Sequence, residues 1–578
     1  MAGKLSRRDF LKATGAGAAA SIFGPYVIRR PGASVRRQAV VNSLGVTLPE
    51  DAAPLEMQNL YMHDPVTNIL TFDWFRSNYR LGPGNLFIQE PLVRVDQNLL
   101  PLPAGAESWS VSEDGLTWTF NIRKGLEWSD GKPYTAHDWV YSFRLGANPE
   151  VGYDFAWYYD IIKNWTACTA GEKPLEELGV AAPDDYTLQI TTTTPKPYVP
   201  NWVGFAMPGP MQAEEQYGPD WSLDPATFIS SGPYTLGEFV MDQRAVFVIN
   251  KNYKGDPKPM LERIEFNPVA QGLMIPSYLQ GRPNLIGQNW PLEAPDVETA
   301  LADATLADQL HPYGHFQTYY VGMNTYEPPF NNLKLRQAIT HAIDRDTLAN
   351  AVLPNQVTPA YTMLMKGFPG EHVDQLKDYQ RYDPELAKQL IAEAGYPNGE
   401  GLPPLELWVR GTGAQVPAIY LTGAETVAAM LTQNLGLNIS VKPTEVKTFN
   451  DELNSHRLIF YFIPYQFDFL DASNMLGIWR STGRHAWKSE KFEDLINQAD
   501  AEFADPEKRD DLFYQAEQTL LEDAPAAFVF HPLLYHMWKP YVVGSDLEAN
   551  TAGFRAVVYL NTSFHRTVYI NNLIEQGL

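Results

Sequence analysis

Two carboxylates three positions apart, Asp468 and Asp471, are the first side chains in this sequence whose type and spacing suggest chemistry. A close acidic pair is how glycosidases divide acid and base work, so a hydrolytic reading stands at this point. His311 and His315 have the i, i+4 spacing of a helical metal pair, but Pro312 and Gly314 argue against a helix there, and no metal is expected. The single cysteine, Cys168, excludes a disulfide framework, a Cys-based zinc site and an iron–sulfur cluster. Phosphate-loop, dinucleotide, zinc-protease and nucleophile-elbow patterns do not occur, and no cofactor is expected. Aromatic residues are abundant: 30 Tyr and 14 Trp exceed what a core strictly needs. Core packing is the plain use of such rings. A cavity lined by amphipathic rings, suited to peptides and sugars alike, is the functional one.

The chain that must position these groups has 578 residues, enough for roughly three or four domains. At 44% hydrophobic and 19% charged it has the composition of a globular protein, not of a disordered or fibrous one. Its formal charge of −24 repels phosphate backbones, which makes nucleic acid a poor partner. The basic residues are unevenly placed. Eight of the 44 lie in residues 1–40 with only one of the 68 acids, so the remainder carries −31.

That N-terminal segment reads as an address. Ser6-Arg7-Arg8-Asp9-Phe10-Leu11-Lys12 precedes an Ala/Gly-rich, mildly apolar run from Ala13 to Ile28. Paired arginines before a weakly hydrophobic run resemble a twin-arginine export signal. The run is too short and too weak for a membrane span. No cysteine follows it to carry a lipid, and no clean A-x-A cleavage site is present. The expected location is periplasmic or cell-surface, reached by the twin-arginine pathway.

Beyond the signal, Leu116, Trp118 and Phe120 alternate with polar residues as in a half-buried strand. A turn at Ser129–Lys132 follows, and then a helix capped by Thr135 that carries Trp139, Val140 and Phe143. Further strands are expected at Tyr186–Ile190, Tyr234–Phe239 and Ala245–Ile249. From about residue 320 helices and strands alternate. A helix begins at Pro384 behind an Asp383 cap, a strand runs over Leu405–Val409, a helix over Ala424–Leu435, and strands over Leu437–Val441 and Leu458–Ile463. Another helix begins at Pro506, capped by Asp505. The β-α-β-α-β order implies a sheet with helices on its faces.

Several of these segments carry a resemblance. Pro91–Asp96 and Ala106–Trp109 resemble the start of the family 5 extracellular solute-binding proteins of ABC importers, the oligopeptide, dipeptide and nickel group. Leu116–Gly125, Trp128–Gly131, Thr135–Asp138 and Tyr141–Phe143 form the most specific match. Ser231–Tyr234, Leu335–Arg345 and Asp383–Leu390 with Gly395-Tyr396 continue it in order, and the helix from Ala424 completes it. The resemblance implies an α/β, two-lobe periplasmic-binding-protein fold, type II, of the large three-domain subclass, with a hinge between the lobes. Lobe one would comprise 45–88, 226–315 and 530–578, with an inserted domain at 89–225. Lobe two would be 316–529, and the crossing strands would be Tyr320–Asn324 and Ala527–His531. It also implies no enzymatic activity, a monomer, and the membrane permease subunits of an ABC importer as partners.

Peptide-binding members carry an Asp that pairs with the ligand's α-amine, in a segment of the form W-x-x-D-x-x-D/E-P-x-x-F. Tyr465–Leu476 aligns with it, placing Asp468 on that Asp, Tyr465 on the Trp and Gln466 beside it. A shielded carboxylate can hold an ammonium by about 1.5–3 kcal/mol. The plainer alternative is that Asp468 caps a turn or pairs with an internal Lys or Arg. Pro464 lacks an N–H, so one ladder bond to an extended ligand would be missing. Dipeptide-binding members hold the ligand carboxylate with an Arg six residues after a Trp. Counting from Trp408, that position is Ala414; Arg410 is close but in another register, as a substitute anchor. A longer peptide held by its amine and backbone is therefore the expected ligand. An oligosaccharide stacked on the aromatic residues is the second reading, and an exported hydrolase the third.

Overall fold

The computed structural model describes residues 39–64, 68–96, 100–287, 292–412, 418–550, 553 and 567–576. The chain divides into two compact units, Met1–Ala39 and Val40–Leu578. The twin-arginine segment and Ala414 lie outside the described residues.

Among the described residues, twelve strands of the second unit form one sheet. The first six are β1 (Asn59–Asp64), β2 (Tyr234–Val240), β3 (Arg244–Ile249), β4 (Arg263–Pro268), β5 (Leu285–Ile286) and β6 (Leu310–Gly314). The others are β7 (Gln317–Met323), β8 (Val357–Pro359), β9 (Leu405–Arg410), β10 (Ile439–Thr444), β11 (Phe460–Gln466) and β12 (Ala526–Trp538). In space the order is β10-β9-β11-β7-β12-β5-β1-β4-β3-β2, with β6 and β8 also pairing with β12. A separate four-stranded sheet runs Ala106–Val111, Thr117–Ile122, Thr187–Thr191, Val180–Asp184. Against it packs the helix Ala136–Ala147, opened by a capping box between Thr135 and Asp138.

β12 ties the large sheet together. Its first part pairs with β7, Ala526 facing Gly322 and Phe530 facing Tyr319. Its last part pairs with β6, Leu533 facing Gly314 and Met537 facing Leu310, and Trp538 faces Leu285 of β5. Between β7 and β12 the register slips by one residue, so Val529 has no partner on β7, while its carbonyl accepts from Ala360 N at 3.1 Å. The expected strand Ala527–His531 is thus less than half of a 13-residue element. Pro532 hides this in the sequence, since a proline reads as a strand breaker; here it sits opposite Val357 of β8.

Period-2 alternation sorts the side chains of the β7–β12 half onto two cores. Phe460 and Phe462 of β11 join Val321, Leu407 and Val529 on one face, under the helices Leu333–His341, Pro384–Glu393 and Ala418–Leu435. Tyr461 and Ile463 join Tyr320 and Phe528 on the other, under Glu490–Ala501 and Pro506–Asp523. The Asp383 and Asp505 caps form as expected, accepting from Leu386 N and Lys508 N. Several boundaries move, and the strand expected over Leu458–Ile463 runs Phe460–Gln466. The helix expected at Ala424 begins at Ala418. The strand expected at Leu437 begins at Ile439, because Gly436 turns the chain at φ +72° and Leu437 is spent in the core before pairing starts.

Candidate functional site

β11 delivers Tyr465 and Gln466 at its C-terminal end. The chain then turns through Phe467–Leu470 into the helix Ala472–Gly477. The two carboxylates of this turn have different fates. Asp471 caps that helix, accepting from Ser473 N at 3.0 Å and Ser473 Oγ at 2.7 Å. Both its oxygens also accept from Arg509, each at 2.8 Å. A carboxylate saturated by a bidentate guanidinium has nothing left to give a substrate. Asp471 is therefore structural, and the pair proposed for hydrolysis is divided.

Asp468 is half-buried and has no such partner. Its Oδ2 accepts from the Tyr465 hydroxyl at 2.6 Å and from the Asn474 amide at 3.1 Å. Its backbone N–H donates to Asn474 Oδ1 at 2.8 Å, which fixes the turn. Both donors are neutral, and among the described residues Oδ1 accepts no hydrogen bond and the carboxylate makes no ion pair. Burial pushes the carboxyl above its ordinary range, while the Tyr465 and Asn474 hydrogen bonds and the Arg484 charge pull it back. Tyr465 is held far above its ordinary pKa by burial and then by the Asp468 charge, so it remains a donor.

Arg484 lies behind this pair, its guanidinium 4.8 Å from the centre of the Tyr465 ring. It donates to the Tyr320 hydroxyl at 3.1 Å, and Tyr320 contacts His485 Nε2 at 3.0 Å. His485 Nδ1 meets the Tyr461 hydroxyl at 2.7 Å. Burial and the Arg484 charge drive His485 well below its ordinary pKa, so this network carries one fixed cation and a neutral imidazole. Asn474, Arg484 and Tyr320 escaped sequence reading because their partners are set by the fold.

The remaining candidates lie apart from Asp468. Gln466 is exposed at the end of β11, opposite Gln317, and hydrogen-bonds His315, whose pKa burial lowers to about 4. Trp408 of β9 points away from Leu407 and Val409, and Lys442 Nζ sits 4.1 Å over its ring. Arg410 ends β9, its N–H donating to the Tyr420 hydroxyl at 3.3 Å. Its charge acts on Tyr319, Tyr320 and Tyr420, and it makes no ion pair among the described residues. β9 pairs with β11 only at Tyr461 and Phe462, so Ile463–Gln466 keep one edge without a partner strand. His311 lies on β6, stacked 3.6 Å from Trp538, and not on a helix.

Across from Asp468 stands a wall of rings. Tyr198 stacks on Phe469 at 4.3 Å, and Asn201 Nδ2 donates to Leu470 O at 2.8 Å. Burial, then Tyr159, then the Asp468 charge raise the Tyr158 hydroxyl far above its ordinary pKa, which marks the carboxylate as a near neighbour of that ring.

A family model described as Bacterial extracellular solute-binding proteins, family 5 Middle, matches residues 101–487. The chain belongs to this family of solute-binding proteins. A second model, for the twin-arginine translocation pathway signal, matches residues 4–24, and this solute-binding protein is exported to the periplasm. No helix of the described residues is long and apolar enough to cross a membrane. The periplasmic oligopeptide-binding protein OppA of Salmonella typhimurium is 30% identical over 467 residues, 79% of this chain and 83% of OppA. An unliganded open form of the periplasmic murein tripeptide-binding protein MppA is 26% identical, with a TM-score of 0.76 over 90% of this chain and 99% of that one. A second structure, of the Escherichia coli murein tripeptide-binding protein MppA, gives 25% identity and 0.64 over 90% and 100%. This family 5 protein therefore has the two-lobe α/β fold.

Proposed function

We propose that this solute-binding protein captures oligopeptides by their free amino end and delivers them to the permease subunits of an ABC importer. The observation that carries the reading is Asp468. It is a partly buried carboxylate with one oxygen fixed by two neutral donors and the other open, and among the described residues it makes no ion pair, Arg484 acting on it only from behind Tyr465. Leaving such a charge without a direct partner is costly, and a ligand ammonium reduces the cost. The unpartnered edge of β11 beside it suits an extended chain, which can add main-chain bonds there as a further strand. The relatives point the same way: OppA is named for oligopeptides and MppA for a murein tripeptide.

Gln466 lines the cleft in this reading, Arg410 is the cation within reach of a ligand carboxylate, and Trp408 holds the neighbouring strand through Lys442. The protein acts as a monomer and without catalysis. The lobes divide as their resemblance implies and bend at Gly314–Gln317 and His531–Leu533, where β6 passes into β7 and β12 exchanges one partner for the other. Denaturing the exported protein and weighing what it releases tests the ligand class. A ladder of peptides several residues long is expected. Masses spaced by hexose or pentose units would transfer the site to the aromatic rings and leave Asp468 a structural role.

A further inference from the structure

Scattered exposed apolar residues are ordinary on a protein surface. Tyr79 and Trp157 are not scattered: they are 66% and 50% exposed and bonded to each other, Trp157 Nε1 donating to the Tyr79 hydroxyl at 3.2 Å. Asp154 ties the segment before Tyr79 to the one before Trp157, accepting from Ser77 Oγ at 2.5 Å and Asn78 N at 2.7 Å. Phe155 meets Tyr79 edge-on at 5.8 Å and Trp157 at 4.8 Å, and stacks on Tyr158 at 5.1 Å. The polar tips of both exposed rings thus bond to each other, and what they offer solvent is ring face.

This rim is continuous with the Asp468 turn. Tyr158 stacks on Trp202 at 5.7 Å, and the neighbouring Asn201 holds Leu470 O. Phe205, 5.5 Å from Tyr158 and 6.0 Å from Phe155, packs against the cores on both sides of the junction. We propose that Tyr79 and Trp157, backed by the buried Phe155, form an aromatic subsite that receives an apolar, ring-bearing side chain near the amino end of the peptide held by Asp468. The proposal rests on the peptide reading above. Tyr158 stands between subsite and carboxylate, its ring 6.0 Å from that of Trp157 and its hydroxyl under the Asp468 charge, so the side chain received belongs to the amino-terminal part of the peptide.

The test is calorimetric titration with two free-amine pentapeptides, Phe-Phe-Gly-Gly-Gly and Ala-Ala-Gly-Gly-Gly. Stacking on the two exposed rings predicts about tenfold tighter binding of the first. In Tyr79→Ala/Trp157→Ala, with an unchanged circular dichroism spectrum, that preference falls below about twofold. Asp468→Asn weakens both peptides and leaves their ratio standing, so the anchor and the subsite report separately. Equal affinities in the unaltered protein, or a preference that survives the double variant, would overturn the subsite while leaving the peptide reading intact. Failure of both peptides to bind would overturn both.

Discussion

Replacing Asp468 by Asn removes a charge and little else. The Asn Oδ1 can take the place of Oδ2, accepting from Tyr465 and Asn474, whose hydrogen bonds to Asp468 are 2.6 and 3.1 Å long. The amide nitrogen then occupies the open side, where it presents a donor to the ligand's own donors. The charge-assisted bond lost is worth about 1.5–3 kcal/mol, or roughly 10- to 150-fold in Kd. N-acetylating the peptide removes the same bond from the other partner. Calorimetry with four combinations, both proteins and both peptides, forms a cycle in which each single change weakens binding and the second adds little. Burial raises the carboxyl's pKa, whereas a bound ammonium favours its ionised form. Affinity therefore falls as pH drops through the carboxyl's titration, and in Asp468→Asn this pH dependence flattens. An unchanged Kd for the free-amine peptide, or fully additive losses around the cycle, would refute the reasoning.

Glu517 is buried with its pKa pushed up to about 8, so the native state keeps a proton that the unfolded chain releases near 4.5. Stability should fall as pH rises from 4.5 to 8, by at most about 1.4 kcal/mol per unit. In Glu517→Gln, which can still accept from Leu364 N, thermal melts should lose that slope and Tm should rise at pH 8. Arg509→Met should cost about 3–5 kcal/mol in urea unfolding by stranding Asp471, and Asp471→Asn on that background should recover part of it; a loss under 1 kcal/mol would contradict the structural assignment. Gly436→Ala would place a Cβ 2.1 Å from Asn398 O at a positive φ, so a clear drop in Tm is expected. Saturating peptide should shrink the radius of gyration in X-ray scattering if the lobes close on ligand, and an unchanged value would leave the hinge without support.

The amino-acid sequence by itself determined whatever depends on neighbours within a few positions. The Thr135–Asp138 box, the Asp383 and Asp505 caps and the alternation of Trp118 and Phe120 all form as their spacing requires, because a cap or a period is a contact between residues i and i+2 to i+4. The arginine pair and the ordered motifs of the family were legible for the same reason. Tertiary structure alone decided which of two adjacent carboxylates is open. Asp471 is claimed by an arginine 38 positions away, while Asp468 receives only neutral donors. It also decided that Trp408 lies under Lys442, that β12 runs on through Pro532, and that Tyr79 and Trp157 share one rim with Tyr158. A side chain's free valence is what remains after its distant partners have been counted, and those partners are assigned only when the sheets and helices meet.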